Sequence, residues 1–270
     1  MVRVTVLASG SKGNSAVVAS SSTRILVDAG LSCREILKRM QKTGEDPESL
    51  SAIVITHEHN DHVGGLAVLA RKLKVPVYMT GPTHNAWFRL IKHEAKRVGE
   101  QARDLERRQF FEAGRSFQIG DIGIMPFTIP HDAVDPVGFA FKIEGVKIGL
   151  VTDLGYLSAN VKEHLRRCDI LMIESNHDVE MLRNGIYPWS VKQRISSRDG
   201  HLSNEALAEF FRKDYDGGAE FLILAHLSEQ NNHPEIARKV AEQALGRHAN
   251  LFQRRLLLAS QEQPLETLSL

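Results

Sequence analysis

Short runs rich in valine, isoleucine and leucine, set apart by turn residues, recur at residues 2–7, 24–27, 52–56, 75–79, 122–128, 137–143, 147–151, 170–173 and 221–225, and they predict strands. At residues 34–41, 66–72, 83–98, 157–166, 204–211 and 234–244 apolar positions recur instead at intervals of three and four, the spacing of a helix with one buried face. Early strands come in adjacent pairs, helices fall between groups of strands, and no stretch rich in Pro, Gly and Ser divides the chain. The order predicts one domain over residues 1–270, an α/β arrangement of two central sheets with helices outside. Residues 251–270, with an apolar run at 256–258 followed by Gln263-Pro264, predict either a terminal hairpin or a frayed end.

Composition narrows the classes. A chain of 270 residues with 42% hydrophobic and 25% charged residues can bury a substantial core, which excludes disordered, collagenous and coiled-coil chains. Lys and Arg number 34 against 33 Asp and Glu, so affinity for nucleic acid must come from a local basic patch and not from the field of the whole molecule. Cys33 and Cys168 lie far apart without CxxC spacing, whereas there are 12 histidines; histidine chemistry is favoured over cysteine chemistry. The apolar run at residues 4–8 is broken by Thr5 and ends at the polar residues 9–15, too short for a signal sequence, and no stretch approaches the roughly 20 apolar residues of a membrane span. A cytoplasmic protein with no membrane partner is expected.

The most informative segment is Ile53-Val54-Ile55-Thr56-His57-Glu58-His59-Asn60-Asp61-His62-Val63-Gly64-Gly65. An apolar strand runs directly into four potential metal ligands. Residues two apart on an extended chain project to one side, so His57 and His59 can reach one ion, while Asp61 and His62, at the turn into a helix, can reach a neighbouring one. Gly64 and Gly65 let that helix start close against the loop. An apolar strand leading into a ring of buried polar groups with nothing to satisfy them speaks against a merely solvated, histidine-rich loop.

Residues 56–65 resemble the signature of the metallo-β-lactamase superfamily of binuclear hydrolases. Later segments fit the same pattern: Pro130-His131-Asp132 after one strand, Thr152-Asp153 after another, and His226 after the run at 221–225. The resemblance implies a four-layer αββα sandwich with ligands on loops along one edge. It implies that one ion takes His57, His59 and His131, that the other takes Asp61, His62 and His226, and that Asp153 bridges the two. Two divalent ions about 3.5–4 Å apart can lower the pKa of a shared water from 15.7 towards about 7 and clamp the oxygens of a substrate under in-line attack. The mixed oxygen and imidazole ligands leave zinc, manganese and iron open.

The superfamily covers lactamases, thioesterases, lactonases and nucleases, so its fold does not name the substrate. A lactamase usually carries a cysteine at the second metal site, whereas Cys168 precedes a strand here. The segments Ile173-Glu174-Ser175-Asn176-His177-Asp178, Gly200-His201-Leu202-Ser203-Asn204 and Ala225-His226-Leu227-Ser228 resemble the phosphodiesterase branch that contains ribonuclease Z. That resemblance makes His201 a general acid for the departing sugar oxygen, held charged and oriented by Glu174; Asp61 is counted as catalytic as well as a ligand. The alternative for Gly200-His201 is a plain helix entrance capped by Ser203. The loop Ala8-Ser9-Gly10-Ser11-Lys12-Gly13-Asn14-Ser15, with small residues, hydroxyls and backbone donors, can approach phosphate oxygens or serve as an ordinary hairpin turn. Combined with the other segments it resembles the YycJ/WalJ family, associated with 5′-to-3′ exonuclease action on DNA, from about residue 4 to about residue 232.

The expected substrate is therefore nucleic acid, DNA ends in particular, with metal-bound hydroxide as nucleophile and with Ser9, Ser11, Asn14, Asn176, His177, Ser203 and Ser228 as substrate contacts. Residues 183–198 hold Arg183, Lys192, Arg194 and Arg198 with no acidic residue and with Tyr187 and Trp189 interleaved; such a stretch can bind phosphates and stack on unpaired bases, or be a solvated surface anchored by Pro188-Trp189. Residues 89–115 mix eight Lys and Arg with five Asp and Glu and predict a solvated helix face. A small-molecule ester or cyclic-phosphate hydrolase and a non-catalytic metal-binding regulator remain the alternatives, the latter disfavoured because purely structural zinc sites are normally closed and mononuclear.

Overall fold

The strands that matter most are apolar on both faces. In β3 (Arg24–Val27) Ile25 and Val27 face one core and Leu26 another; in β4 (Ala52–Val54) Ala52 and Val54 face the first and Ile53 the second. A strand that buries both faces must lie between two layers. The computed structural model describes residues 1–97, 99, 101–246 and 255–270, and in it two sheets stack with helices on both outer sides.

The first sheet contains β1 (Arg3–Ala8), β2 (Ser15–Ala19), β3, β4, β5 (Val77–Met79) and β6 (Arg108–Phe110), side by side in chain order, with β14 (Leu268–Ser269) beyond β1. The second contains β7 (Phe117–Ile119), β8 (Ile122–Thr128), β9 (Val137–Ile143), β10 (Val146–Val151), β11 (Ile170–Glu174), β12 (Phe221–Ala225) and β13 (Leu256–Leu258). Between the sheets lie Val4, Val6, Val18, Ile25 and Val54 from one side and Ile124, Phe139, Phe141, Leu150, Met172 and Ile223 from the other. Over the first sheet pack α1 (Cys33–Lys42), α3 (Leu66–Leu73) and α4 (Gly81–Arg97), reached after the single turn α2 (Asn60–Val63). Over the second pack α5 (Ala159–Leu165), α8 (Asn204–Lys213) and α9 (Pro234–Leu245); α6 (Val179–Asn184) and α7 (Trp189–Ile195) lie between. The result is the expected four-layer αββα sandwich.

Strands β3 to β6 run parallel, as do β10 to β13. Side chains that leave the carboxyl ends of parallel neighbours converge on one edge of a sheet. This places Asp28 after β3, Thr56 and His57 after β4, Asp153 after β10, Glu174 at the end of β11 and His226 after β12 together.

The tail departs from both expectations. Residues 256–258 join β12 in parallel and residues 268–269 join β1 in the other sheet, so the segment is neither a hairpin nor a frayed end. On the way Gln261 takes the Lys12 amide proton at 2.8 Å and donates to the Gly13 carbonyl at 3.0 Å, tying down the first loop. Residues 251–254 and Val98, included in the expected tail and helix, lie outside the described residues. Among the described residues no helix is long and apolar enough to cross a membrane.

Candidate metal centre and active site

The loop after β4 delivers His57 while the chain is still extended, and His59 caps α2, which carries Asp61 and His62. The turn is tight because Gly65 packs against the Leu31 carbonyl, where a Cβ would collide, and Gly30 leaves no room for one beside the Asp61 carbonyl. Backbone bonds from Asn14 to the Asp61 carbonyl (2.7 Å), from Gly30 to the Asn14 carbonyl (3.0 Å) and from Ala29 to the His62 carbonyl (2.8 Å) sew three loops together.

Two groups of ligand-type atoms result. His57, His59 and His131 form the first, and Asp61, His62, Asp153 and His226 the second, with the atoms of each group within 4.8 Å of one another. Ring centroids of His57 lie 4.7 Å from His59 and 5.0 Å from His131. Asp153 falls with the second group, its carboxylate 3.2 Å from His62 Nε2 and 3.4 Å from His226 Nε2. His201 and Glu174 adjoin it: Asp153, Glu174, His201 and His226 form a third cluster.

Hydrogen bonds on the far side of the rings aim the inward nitrogens. Asp28 holds His62 Nδ1 at 2.8 Å, Glu174 holds His226 Nδ1 at 2.9 Å, Thr56 Oγ1 lies 2.9 Å from His57 Nδ1, and the Gly200 carbonyl lies 3.2 Å from His131 Nδ1. Fixing one imidazole nitrogen this way commits the other to a metal. The inward atoms His57 Nε2, His226 Nε2 and Asp153 Oδ2 are buried without any hydrogen-bond partner; buried polar atoms left so are rare and costly, and divalent ions among them would satisfy them. These residues fit the metal that the sequence implied.

Electrostatics point the same way. Burial disfavours charge on every group here, yet Asp153, Asp28 and Asp61 outweigh it and raise the His62 pKa well above the usual imidazole value, and Asp153 and Glu174 do the same for His226. Burial would raise Asp153, but His226 and His62 hold it well below the usual carboxylate range. His57 is pushed well down by burial and by His62, against the opposing pull of Asp153. The second ligand group thus draws in positive charge, as protons or as cations, while the His57 and His131 imidazoles of the first are kept neutral by burial.

Asp28, Asp153 and His226 adopt left-handed backbone conformations, with φ of 60°, 61° and 54°. Non-glycine residues rarely do so, and when they do they cluster where side-chain direction matters more than backbone ease. Asp28 and Thr56 were not singled out by the sequence. The only signal for Asp28 is its position after an apolar strand, shared by many structural aspartates.

His201 Nδ1 lies 2.9 Å from Glu174 Oε1. Burial would raise the Glu174 carboxyl, but His201 and His226 bring it down to about 2. Ser203 caps α8 by accepting from the Ala206 amide at 3.1 Å, so the helix entrance and the His–Glu pair coexist. Of the residues expected to touch substrate, four bond to other parts of the protein, the first three of them buried: Ser9 accepts from the His226 amide, Asn14 donates to Asp61 Oδ2 and to the Gly10 carbonyl, Asn176 donates to the His226 carbonyl, and the half-buried Ser228 accepts from the Asn231 amide. Ser11 is exposed, and His177 and Ser203 border an open cavity.

A family model described as a beta-lactamase superfamily domain matches residues 23–227. The chain belongs to this superfamily. Exodeoxyribonuclease WalJ of Streptococcus pneumoniae serotype 2 is 40% identical over 235 residues, 87% of this chain and 85% of that protein. Exodeoxyribonuclease YycJ of Bacillus anthracis is 40% identical over 240 residues, 89% of this chain and 88% of its own length. Membership therefore extends to the family of these two proteins. The crystal structure of the metallo-beta-lactamase fold protein YhfI from Bacillus subtilis superposes with a TM-score of 0.69 over 98% of this chain and 100% of that one at 16% identity, which bears on the fold alone. As a member of the superfamily the chain is a metal-dependent hydrolase, and divalent cations are its cofactor.

Proposed function

We propose that the chain, working as one domain, is a phosphodiesterase that degrades DNA from a 5′ end, using two ions. The observation that carries this reading is the convergence of both ligand groups with the His201–Glu174 pair at one edge of the sandwich, in a chain 40% identical to two exodeoxyribonucleases. His57, His59 and His131 would hold one ion and Asp61, His62 and His226 the other, with Asp153 shared. Bound there, the ions supply Lewis-acid polarisation of a phosphoryl oxygen and an ionised water at neutral pH.

The protein's own groups do the rest. Glu174 fixes the Nδ1 side of His201, which leaves Nε2 to hand a proton to the departing sugar oxygen. Asp61, held by Asn14 at 3.2 Å, orients the attacking water. Ser11, His177 and Ser203 are the substrate contacts whose surroundings are open; Ser9, Asn14, Asn176 and Ser228 would act by holding the loops. Purified protein with Mn²⁺ or Zn²⁺ should shorten end-labelled DNA progressively from the 5′ end. Turnover of a simple aryl phosphodiester or a small ester without action on DNA or RNA would favour the small-molecule reading, and no turnover of any of them the non-catalytic one.

A further inference from the structure

Beside His201 opens a cavity of about 500 Å³ bordered by Val179, Leu182, Trp189, His177, Ser203 and Lys192, within the roughly 300–1,000 Å³ of small-ligand sites. Its outer wall is unusual. None of the seven residues of α7 is buried, Trp189 is 70% exposed and the preceding Ile186 86%. A tryptophan held this open is not part of the core, unlike Trp87, which is 1% exposed. The helix is nevertheless fixed in place: Lys192 Nζ donates to the Arg183 carbonyl at 2.9 Å, Arg194 pairs with Asp132, and Arg198 lies over the Tyr156 ring at 4.6 Å. Of the four basic side chains of residues 183–198, Arg183 and Lys192 border the cavity.

We infer that this cavity receives an unpaired nucleobase, that of the nucleotide on the leaving-group side of the cleaved bond, with Trp189 stacked on its face. The inference rests on the nuclease reading and adds to it a named specificity element. Each feature has its counterpart in such a ligand. Trp189, Val179 and Leu182 offer an apolar slot for a flat ring, and stacking of this kind is tolerant of sequence because every base has a π-face. Arg183 and Lys192 suit the flanking phosphates. His177, held neutral because burial brings it down to about 4, offers a hydrogen bond without charge, and Ser203 beside it can give or accept one. His201 belongs to both the cavity wall and the acid pair, so a base in the slot sits next to the oxygen that receives the proton.

Single-stranded oligonucleotides with one abasic residue on either side of the cleaved bond, and the variants Trp189→Ala and Trp189→Phe, test this with the metal-loaded enzyme. Trp189→Ala should raise KM about tenfold with kcat within about twofold and metal content unchanged, and Trp189→Phe should restore most of the loss. The abasic residue on the leaving side should cost wild type about as much and cost Trp189→Ala nothing further, because both changes remove one contact. A KM for Trp189→Ala within twofold of wild type, or costs that multiply, would overturn the assignment while leaving the nuclease reading intact. Wild type that cleaves no nucleic acid would overturn the nuclease reading, and the assignment with it.

Discussion

Glu174 shows how much one side chain can organise. Its Oε1 meets both His201 Nδ1 and His226 Nδ1 at 2.9 Å, and its Oε2 accepts the Leu154 and Leu202 amides at 2.9 and 3.1 Å. Glu174→Gln replaces one acceptor with a donor: turned to the Leu154 and Leu202 amides it meets donors it cannot pair with, and turned to the imidazoles it favours the tautomer with Nε2 protonated, which His226 cannot keep while it ligates a metal. The expected outcome is weaker metal affinity, about 10–100-fold, together with lower kcat, read by metal titration and kinetics. His201→Ala should instead keep full metal content and lose roughly 10²–10⁴-fold in kcat; equal metal loss in the two would contradict the separation of roles. Asp28→Asn keeps a residue that tolerates the left-handed backbone, but Asp28 Oδ1 accepts from the Thr56 amide and Oδ2 from Thr56 Oγ1 beside His62 Nδ1, so the change removes the charge and one buried acceptor; it should weaken metal binding about 10–100-fold and destabilise by about 1–3 kcal/mol. The sequence disclosed His57, His59, Asp61 and His62 because their spacing is local. It disclosed Glu174 only as the partner of His201: its second contact depends on β11 lying beside β12, where Glu174 pairs with Ala225, and nothing in either segment alone states that.

Among elements, the loops are positioned by contacts that spare no atom. Gly30 is negative in φ, so its requirement is space alone: a methyl group would fall on the Asp61 carbonyl. Gly30→Ala should destabilise by about 1–3 kcal/mol and, by displacing α2, also reduce metal affinity; denaturant unfolding alongside metal titration reads both. The strands at 24–27, 122–128, 137–143 and 221–225 were legible to the residue because turn residues bound runs dominated by apolar residues. The three-residue edge strands β6 and β7, with Arg108, Gln109 and Gln118 in them, carry too little apolar pattern to be read. The helix α2 is a single turn of four residues, barely one helical period, and α7 buries nothing, so neither has an amphipathic stripe. The last strands escaped because their partners lie in two different sheets, far back in the chain.

At the scale of the whole molecule, the site is where the two halves of the sandwich meet: His57, His59, Asp61 and His62 come from the segment that follows β4 in the first sheet, and His131, Asp153, Glu174 and His226 from the strand ends and loops of the second. Ions bound there would join the halves, and a ligand present at 1,000 times its dissociation constant stabilises the folded state by about 4 kcal/mol. Chelation should lower the unfolding temperature, and Mn²⁺ or Zn²⁺ should restore it in wild type but not in a His131→Ala, Asp153→Ala double variant. The most direct measurement is anomalous diffraction from crystals grown with Mn²⁺. Two peaks are predicted, one among His57, His59 and His131 and one among Asp61, His62, Asp153 and His226; a map with no peak at either group, or with metal bound only elsewhere, would contradict the account.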